Sequence, residues 1–343
     1  MPIATPDALA AAFEGLLATG SHGSVDVAAA FGTDAIRIRL HNFPPRTAYG
    51  QALRRAAPDS VTIFTVHVID GAACGVDRPR LTWTVADFGP KRRVPGWSDR
   101  TRTTYLLRGE EGIAVADWER NRAFVWLPSH QAVPWYEYAA PLRWLFDDLA
   151  ERQGLSTLHA AAVGRGGYGI LLAGAGGAGK STLALAALGE GFDYVGDDYC
   201  LLSHADPEVF ALYSTAKWDK EARVAPGWLT TDALYASQCK AAKNVAFLEK
   251  IRPEKLADRL TITAIVLPAI GDTLKPMLEA VAPAVALRAL SASSLAQSEA
   301  GAPALVATLA KVAKSVPAYR LHMTPRLAEN VAVIRKLLAE LDR

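Results

Sequence analysis

A glycine-rich loop at residues 174–181 has the strongest chemical signal in the sequence. It reads GAGGAGKS and matches the pattern G-x-x-x-x-G-K-[S/T] at every specified position. In this pattern the glycines let backbone N–H groups curve around a phosphate without clashes from Cβ atoms. The lysine can bridge the outer phosphates of a nucleotide, and the serine hydroxyl can bind Mg²⁺. The residues predicted to contact ATP and Mg²⁺ are Gly174, Ala175, Gly176, Gly177, Ala178, Gly179, Lys180, Ser181 and, at the start of the following helix, Thr182.

Two adjacent carboxylates follow the loop closely. Asp197 and Asp198 come directly after a short predicted strand at 192–195. In phosphoryl transfer, one carboxylate can hold Mg²⁺ while another accepts the proton of the attacking hydroxyl. The alternative is a solvated turn or a helix cap, in which aspartate is common. Because the pair lies beside a phosphate-binding loop, we favour a catalytic role.

A histidine precedes the loop. His159 lies in a predicted strand at 155–163, and a turn at 164–167 would fold this strand back against the strand that leads into the loop. His159 would then lie near the phosphate end, where an imidazole can bind phosphate or a metal, or hydrogen-bond to the reacting groups. A histidine among alanine and leucine is more often a core residue, so this prediction depends on the neighbouring motifs.

Basic residues downstream of the carboxylates are candidates for one more role. A phosphoryl-transfer site favours an additional cation on the transferring group. Lys217 and Lys243 are the preferred candidates for substrate or phosphate contacts, ahead of Arg252 and Arg259. The alternative is ordinary surface charge, which is where most lysine and arginine side chains lie.

The elements that would position these residues change character along the chain. A short helix at 7–19 precedes alternating apolar runs typical of strands, at 36–40, 61–68, 81–85, 103–107, 113–118 and 123–127. After Pro134 the apolar spacing becomes helical and then mixed, with strands predicted at 155–163, 168–173, 192–195, 244–248, 261–267, 283–287 and 318–323. Helices are predicted near 142–149, at 181–189 and after Thr324. We therefore predict a smaller β-rich domain at 1–134 and an α/β (α+β) domain at 135–343.

Composition excludes several classes of protein. Half of the 343 residues are apolar and 21% are charged, which is typical of a globular chain, not of a disordered one. The net charge of +2 gives no reason to expect nucleic acid or an acidic membrane as a partner. Three scattered cysteines favour a reducing compartment, and neither a secretory leader nor a membrane-length apolar run is evident, so we expect a cytoplasmic protein. The sequence leaves a homo-oligomer open.

The ordered motifs resemble the kinase core of HPr kinase/phosphorylase and its relatives, a fold shared with ATP-dependent phosphoenolpyruvate carboxykinases. The similarity lies in residues 158–163, 169–181 and 196–198, which pair a Leu-His strand, the phosphate loop and an Asp-Asp dipeptide in this order. The resemblance implies that Asp198 accepts the proton of a substrate hydroxyl and that Asp197 serves the metal. It also implies that His159 is catalytic or contacts phosphate, while Lys180 and Ser181 serve ATP and Mg²⁺.

The sequence departs from the housekeeping enzymes downstream of the dipeptide. Residues 212–218 read LYSTAKW and lack the glutamate-containing signature of those enzymes, and their arginine-rich C-terminal segment is also missing. Phosphorolysis and HPr as the acceptor are therefore not expected. The chain looks more like related kinases that act on peptide natural products, including the C-terminal serine of lasso peptide precursors. We thus expect a serine kinase for a peptide or small protein. The alternatives are a kinase for a small metabolite such as free serine, a carboxykinase-like enzyme and a non-catalytic nucleotide-binding regulator.

Overall fold

The chain divides into two compact units. The computed structural model describes residues 2–19, 23–44, 47–83, 93–107, 112–133, 135–218, 234–235, 243–271, 273–298 and 302–341. The first unit comprises Met1–Gly50 and Arg55–Tyr138, and the second comprises Gln51–Arg54 and Ala139–Arg343. The predicted boundary at residue 134 falls outside the described residues, and the division lies four positions later.

The sequence did not predict that residues 51–54 belong to the second unit. The backbone N–H of Arg54 donates to the carbonyl of Leu212 at 3.1 Å, and its guanidinium pairs with Asp258 at 2.8 Å. Leu53 forms an isolated antiparallel bridge with Tyr213. A fragment that begins at residue 135 would therefore lack part of the packing of the second unit.

The first unit is a seven-stranded mixed sheet with a helix packed on one face. Its elements are α1 (Pro6–Thr19), β1 (Ser24–Phe31), β2 (Asp34–His41), β3 (Thr62–Asp70), α3 (Gly71–Cys74), β4 (Arg93–Ser98), β5 (Arg102–Leu107), β6 (Gly112–Asp117) and β7 (Arg122–Leu127), while α2 (Ala48–Ala52) and α4 (Trp135–Ala139) span the divisions of the chain. The strand order is β1-β2-β3-β7-β6-β5-β4, and β3 runs parallel to both of its neighbours. Leu9 and Phe13 of α1 are buried with Phe124 of β7.

Most of the elements predicted for the first unit are present. The helix and the strands near 36–40, 61–68, 103–107, 113–118 and 123–127 match the structure. The strand predicted at 81–85 is not found in residues 81–83, the part of this run that the structure describes. There, Leu81 forms an isolated bridge with Ile3. The prediction also missed β1, because its Ala28-Ala29-Ala30 run has low intrinsic strand propensity and only pairing with β2 makes it a strand.

The second unit is a nine-stranded mixed sheet with helices on both faces, accompanied by a three-stranded sheet. Its helices are α5 (Arg143–Arg152), α6 (Lys180–Gly189), α7 (Pro283–Ser294), α8 (Ala302–Ser315) and α9 (Leu327–Leu341). Its strands are β8 (Leu155–Leu158), β9 (Ala161–Arg165), β10 (Tyr168–Leu172), β11 (Asp193–Gly196), β12 (Cys200–Ser203), β13 (Glu208–Ala211), β14 (Thr215–Trp218), β15 (Leu234–Tyr235), β16 (Asn244–Phe247), β17 (Arg259–Ile270), β18 (Met277–Val281) and β19 (Ala318–Met323). No helix in the described part of the chain is both long and apolar enough to cross a membrane.

Alternation along the central strands creates two cores. In β10, Ile170 and Leu172 point into one core with α6 and α9, whereas Leu171 points into the other core with α7 and α8. Successive side chains of a strand face opposite sides of the sheet, so a strand buried on both faces is apolar throughout. The unit is therefore a three-layer α/β/α arrangement.

One edge of the large sheet collects the ends of several strands. β10, β17 and β19 run parallel, and β11 runs parallel to them because both β11 and β10 are antiparallel to β9. The end of β10 leads into the loop at 174–179, and the end of β11 leads into Asp197 and Asp198. His159 lies just before β9. Because β9 is antiparallel to β10, the start of β9 and His159 lie at this same edge. The topology thus brings together motifs that are separated in sequence.

Two strand predictions for this unit differ from the structure, one entirely and one in part. Residues 283–287 lie in α7, where Pro283 occupies the first turn and the helically spaced Ala286 and Leu290 are buried, so helical packing prevails over the strand propensity of the valine and leucine residues. The predicted strand at 155–163 is two strands, since β8 pairs with β12 whereas β9 pairs with β10 and β11. The break falls at His159, outside both strands.

The hairpin of β9 and β10 yields a testable consequence for stability. A Cβ atom on Gly164 would overlap the carbonyl oxygen of Tyr168 and lie 2.9 Å from the Cδ2 atom of Leu260. We expect Gly164→Ala to lower the free energy of unfolding by about 3 kcal/mol, because backbone on the neighbouring strand cannot move aside. Urea denaturation followed by circular dichroism measures the change. Gly271→Ala is the control, since its Cβ would meet nothing within 4 Å. Equal midpoints for the two variants would contradict the packing described.

Candidate functional site

The glycine-rich loop requires its glycines and closes around its own lysine. Gly174, Gly177 and Gly179 have φ values of 146°, 80° and 95°, which residues with a Cβ atom rarely adopt. Lys180 begins α6, and its Nζ donates to the carbonyl oxygens of Gly174 at 2.8 Å and Ala175 at 3.2 Å. The ammonium group therefore lies inside the loop, at the N-terminus of a helix whose dipole favours anions.

The charge of Lys180 is linked to the neighbouring acidic and basic residues. Burial lowers the pKa of Lys180, while the charges of Asp198 and Asp197 oppose that effect and the charge of Lys243 adds to it. Lys243 is exposed and directly precedes β16, whose first residue pairs with Trp218. The structure thus places Lys243 within electrostatic range of the loop, as an exposed residue at its periphery.

Asp198 is the centre of the polar cluster. Its Oδ1 lies 2.9 Å from His159 Nε2, and its Oδ2 forms an ion pair with Lys217 Nζ. Burial alone would raise the pKa of Asp198, but the charge of Lys217 and the hydrogen bond from His159 outweigh it and hold the pKa well below its usual range. The carboxylate is therefore ionised at neutral pH. Its cation, Lys217, extends from β14, which the sequence prediction did not identify as a strand.

Asp197 is more deeply buried than its neighbour, with 3% of its surface exposed. Its Oδ2 accepts the backbone N–H of Lys217 at 3.2 Å, and the hydroxyl of Ser181 donates to its backbone carbonyl at 3.4 Å. Burial raises the pKa of Asp197 to about 6, and the charge of Asp198 acts in the same direction. Ser181 and Asp197 are thus adjacent through the backbone carbonyl of Asp197.

The donor atoms fit Mg²⁺ only together with a nucleotide. A hydroxyl and a carboxylate are the hard oxygen ligands that Mg²⁺ prefers, and the ion usually completes its shell with phosphate oxygens and water. Among the residues that the structure describes, no group of three or more His, Cys, Asp or Glu side chains could hold a metal ion by itself. Ser181 and Asp197 therefore fit a magnesium–nucleotide complex better than a site built from protein ligands alone.

The backbone of His159 is held by serine side chains where the strand breaks. Its N–H donates to the hydroxyl of Ser294 at 3.2 Å, and its carbonyl accepts the hydroxyl of Ser293 at 3.1 Å. These two hydroxyls, at the end of α7, replace the ladder hydrogen bonds that a continuous strand would have made. The backbone N–H and carbonyl of His159 are therefore both hydrogen-bonded although the residue lies outside the strands.

The ring of His159 is oriented from both sides. The amide nitrogen of Gln297 lies 3.1 Å from His159 Nδ1, and the amide oxygen of Gln297 accepts the hydroxyl of Tyr199. Because an amide nitrogen can only donate, Nδ1 is the acceptor and the ring proton lies on Nε2, facing Asp198. Tyr199, Gln297, His159 and Asp198 thus form one directed chain of hydrogen bonds.

Tyr199 links this chain to two cations and to a cavity. Its ring centroid lies 5.6 Å from Lys217 Nζ and 5.1 Å from Arg143 Cζ, within the range of cation–π attraction. Arg143 also donates to the backbone carbonyl of Gln297 at 2.6 Å. Beside the ring, a cavity of about 10 Å³ is lined by residues that include Asp197, Asp198, Tyr199, Tyr213 and Thr215.

The structure brings most of the predicted residues into one site. His159, Lys180, Ser181, Asp197, Asp198 and Lys217 meet at the same sheet edge, and Thr182 is exposed in the first turn of α6. Arg259 begins β17 and lies at the opposite edge, while Arg252 pairs with Glu254 at 3.8 Å. Sequence reasoning missed Arg143, Tyr199, Ser293, Ser294 and Gln297. Of these residues, only Tyr199 could have been identified from the sequence, because it directly follows the two aspartates.

Comparisons with known proteins give little beyond this geometry. No family model matches the sequence, and no curated protein matches it. Among solved structures, the HPr(Ser) kinase/phosphatase from Coxiella burnetii is similar over 54% of this chain and 99% of that chain, at 14% identity and a TM-score of 0.28. A similarity at this TM-score carries no argument about function, which must rest on the site itself.

The hydrogen-bond chain makes a prediction about the tautomer of His159. In the wild type the proton should lie on Nε2, because Gln297 donates to Nδ1. In Gln297→Glu both ring nitrogens would face carboxylates that can only accept, so the ring should keep its proton on Nε2 and gain a second one on Nδ1. Long-range nitrogen–proton NMR of histidine-labelled protein distinguishes the two forms. The chain has seven histidines, and the spectrum of a His159→Asn variant identifies the relevant signal.

The exposed Gln131 in the first unit provides the matched control. Gln131→Glu should leave the His159 signals unchanged. A wild-type protein with the proton on Nδ1 would show that Gln297 does not orient the ring in this way.

Proposed function

We propose that this protein is an ATP-dependent kinase that uses Mg²⁺ and transfers the γ-phosphoryl group to a serine hydroxyl of a peptide or small protein. One observation carries the proposal. An ionised Asp198 carboxylate, held between His159 and Lys217, lies at the same sheet edge as a loop built to bind phosphates. A nucleotide-binding regulator has no need of such a carboxylate, so the geometry favours catalysis.

The phosphate loop and its flanking residues would bind the nucleotide. Lys180 would exchange the loop carbonyls for the outer phosphate oxygens, which compensate its charge better. Ser181 and Asp197 would hold Mg²⁺, which, when bound, neutralises charge on the phosphate oxygens. Asp197 gains from this arrangement, since a cation stabilises the charged form that burial disfavours.

Transfer would proceed with Asp198 as the proton acceptor. The serine oxygen forms a bond to the γ-phosphorus, the bond between that phosphorus and the β–γ bridging oxygen breaks, and the hydroxyl proton passes to Asp198. A carboxylate with a low pKa is a weak base toward a free alcohol. In a loose transition state, however, the proton becomes acidic only as the new bond forms, so orientation matters more than basicity. His159 and Lys217 supply that orientation by fixing both carboxylate oxygens.

The acceptor is proposed from the site and from the resemblance of the sequence to peptide kinases. The cavity beside Asp198 and Tyr199 has a volume of about 10 Å³, which is enough for about one water-sized group such as a single hydroxyl. The β-rich first unit is large enough to offer a groove or a sheet edge to an extended peptide. A lasso peptide precursor would be a peptide of this kind. The small volume of the cavity also favours a second candidate, a kinase for a small hydroxylated metabolite such as free serine.

The test removes the proposed proton acceptor while preserving its shape. Asp198→Asn should retain Mg²⁺–ATP binding and lose about 10²- to 10⁴-fold in the rate of transfer, because an amide cannot accept the proton. Calorimetry measures ATP binding, and transfer is followed with radiolabelled ATP and a panel of serine-containing peptides, with free serine alongside. The experiment uses the full chain, because residues 51–54 belong to the second unit.

Asp193→Asn is the matched control. Asp193 begins β11, the strand whose other end leads to Asp198, and so it lies at the end of β11 remote from the loop. It should leave both binding and transfer unchanged. If Asp198→Asn transfers phosphate at the wild-type rate, Asp198 is not the proton acceptor. Faster labelling of free serine than of any peptide would replace the peptide by the metabolite as the acceptor.

A further inference from the structure

Helix α5 carries a buried carboxylate that joins two segments of the second unit. Asp147 lies in the middle of this helix, with 3% of its surface exposed. Its Oδ1 accepts the hydroxyl of Thr157, and its Oδ2 accepts the hydroxyl of Ser298 at 3.1 Å. A buried carboxylate is costly without hydrogen bonds, so both hydroxyls help to stabilise it. Asp147 therefore ties together two segments that are far apart in the sequence.

The two segments carry the partners of one hydrogen bond in the site. Thr157 lies on β8, two positions before His159. Ser298 directly follows Gln297, whose amide nitrogen lies 3.1 Å from His159 Nδ1. Asp147 thus anchors a close neighbour of each member of this pair.

Gln297 depends on such an anchor because it lies beyond the end of a helix. Helix α7 ends at Ser294, and Gln297 lies in the turn that follows. Arg143 supplies a second anchor, since its Nη1 donates to the backbone carbonyl of Gln297 at 2.6 Å. Arg143 and Asp147 are four positions apart on α5 and so lie on the same face of that helix. One face of α5 therefore holds both Gln297 and Ser298.

Asp147 lies outside the cavity beside Asp198. It lines a second cavity of about 10 Å³ with residues that include Thr157 and Ser298. The described lining residues of the two cavities do not overlap. A volume of this size holds about one water molecule and leaves no room for a substrate. We therefore expect Asp147 to act on the reaction through the residues that it positions.

We propose that Asp147 is a positioning residue for phosphoryl transfer. By accepting the two hydroxyls, it keeps Gln297 in contact with His159 Nδ1 and so keeps Nε2 of the ring directed at Asp198. This inference rests on the function proposed above and adds a residue that lies behind the reacting groups. The carboxylate that receives the hydroxyl proton must be held closely, and a small displacement lowers the rate of transfer without changing nucleotide binding.

The first measurement follows the ring itself and needs no substrate. In nitrogen NMR of histidine-labelled full-length protein, the His159 Nδ1 signal should be that of a hydrogen-bonded acceptor in the wild type and of a non-bonded one in Gln297→Ala. Asp147→Ala should move this signal toward the Gln297→Ala position, because the two hydroxyls lose their shared acceptor. Asp147→Asn should keep the wild-type signal, since an amide can accept one hydroxyl and donate to the other.

The second measurement is transfer from radiolabelled ATP to the panel of serine-containing peptides and to free serine. Asp147→Ala should lower kcat by about tenfold and leave the KM for ATP unchanged, since orientation alone is affected. Gln297→Ala should lower kcat at least as much. The double variant should be no slower than Gln297→Ala, because both changes interrupt the same series of contacts. Glu151→Ala, at an exposed residue one turn further along α5, is the control and should match the wild type in both measurements.

The other outcomes decide against the inference or against the function on which it rests. An unchanged Nδ1 signal in folded Asp147→Ala would overturn the inference, and so would losses of rate that multiply in the double variant. A raised KM for ATP would show a general disturbance of the unit and would also overturn it. If Asp147→Ala does not fold, Ser298→Ala removes one of the two hydroxyls and must shift the signal in the same direction. A wild type that labels no acceptor would contradict the proposed function, while the ring signals would still test the anchoring of Gln297.

Discussion

The site depends on the charge balance of two adjacent buried carboxylates. A buried carboxylate is costly unless it is paired and hydrogen-bonded. Lys217 and His159 compensate Asp198, whereas Asp197 accepts a backbone N–H and keeps a raised pKa. The two neighbours therefore differ in character although they share a sequence motif. One is a fixed anion that can orient a hydroxyl, and the other is poised to gain from a cation.

The fold supplies this balance by interrupting regular structure at defined points. The strand break at His159 turns its ring toward Asp198, and serine hydroxyls of α7 satisfy its backbone. Gln297, just beyond the same helix, donates to the other ring nitrogen. A helix on one face of the sheet thus fixes both the backbone and the ring of a residue at the sheet edge. The parallel ends of β10 and β11 then place this group beside the glycine-rich loop at 174–181.

Local signals were enough to predict most strands and helices, because these depend on spacing within a few residues. The broken strand at 155–163 was not predictable, since its two halves differ only in distant partners. The place of residues 51–54 in the second unit was not predictable for the same reason, since it depends on pairing with residues far away in the sequence. Gln297 lies far from His159 in sequence, and nothing in its neighbourhood marks it. The features that were not predictable from the sequence therefore depend on long-range contacts and not on local propensity.

The central claim is that the loop at 174–181 delivers a phosphoryl group to the cluster around Asp198. Its most direct test is transfer of radiolabel from ATP to a serine acceptor by the wild type and by Lys180→Ala, with folding of both verified by circular dichroism. The account predicts labelled acceptor with the wild type and none above background with the variant, because the bridging charge on the outer phosphates is lost. Undiminished transfer by a folded Lys180→Ala protein would contradict it.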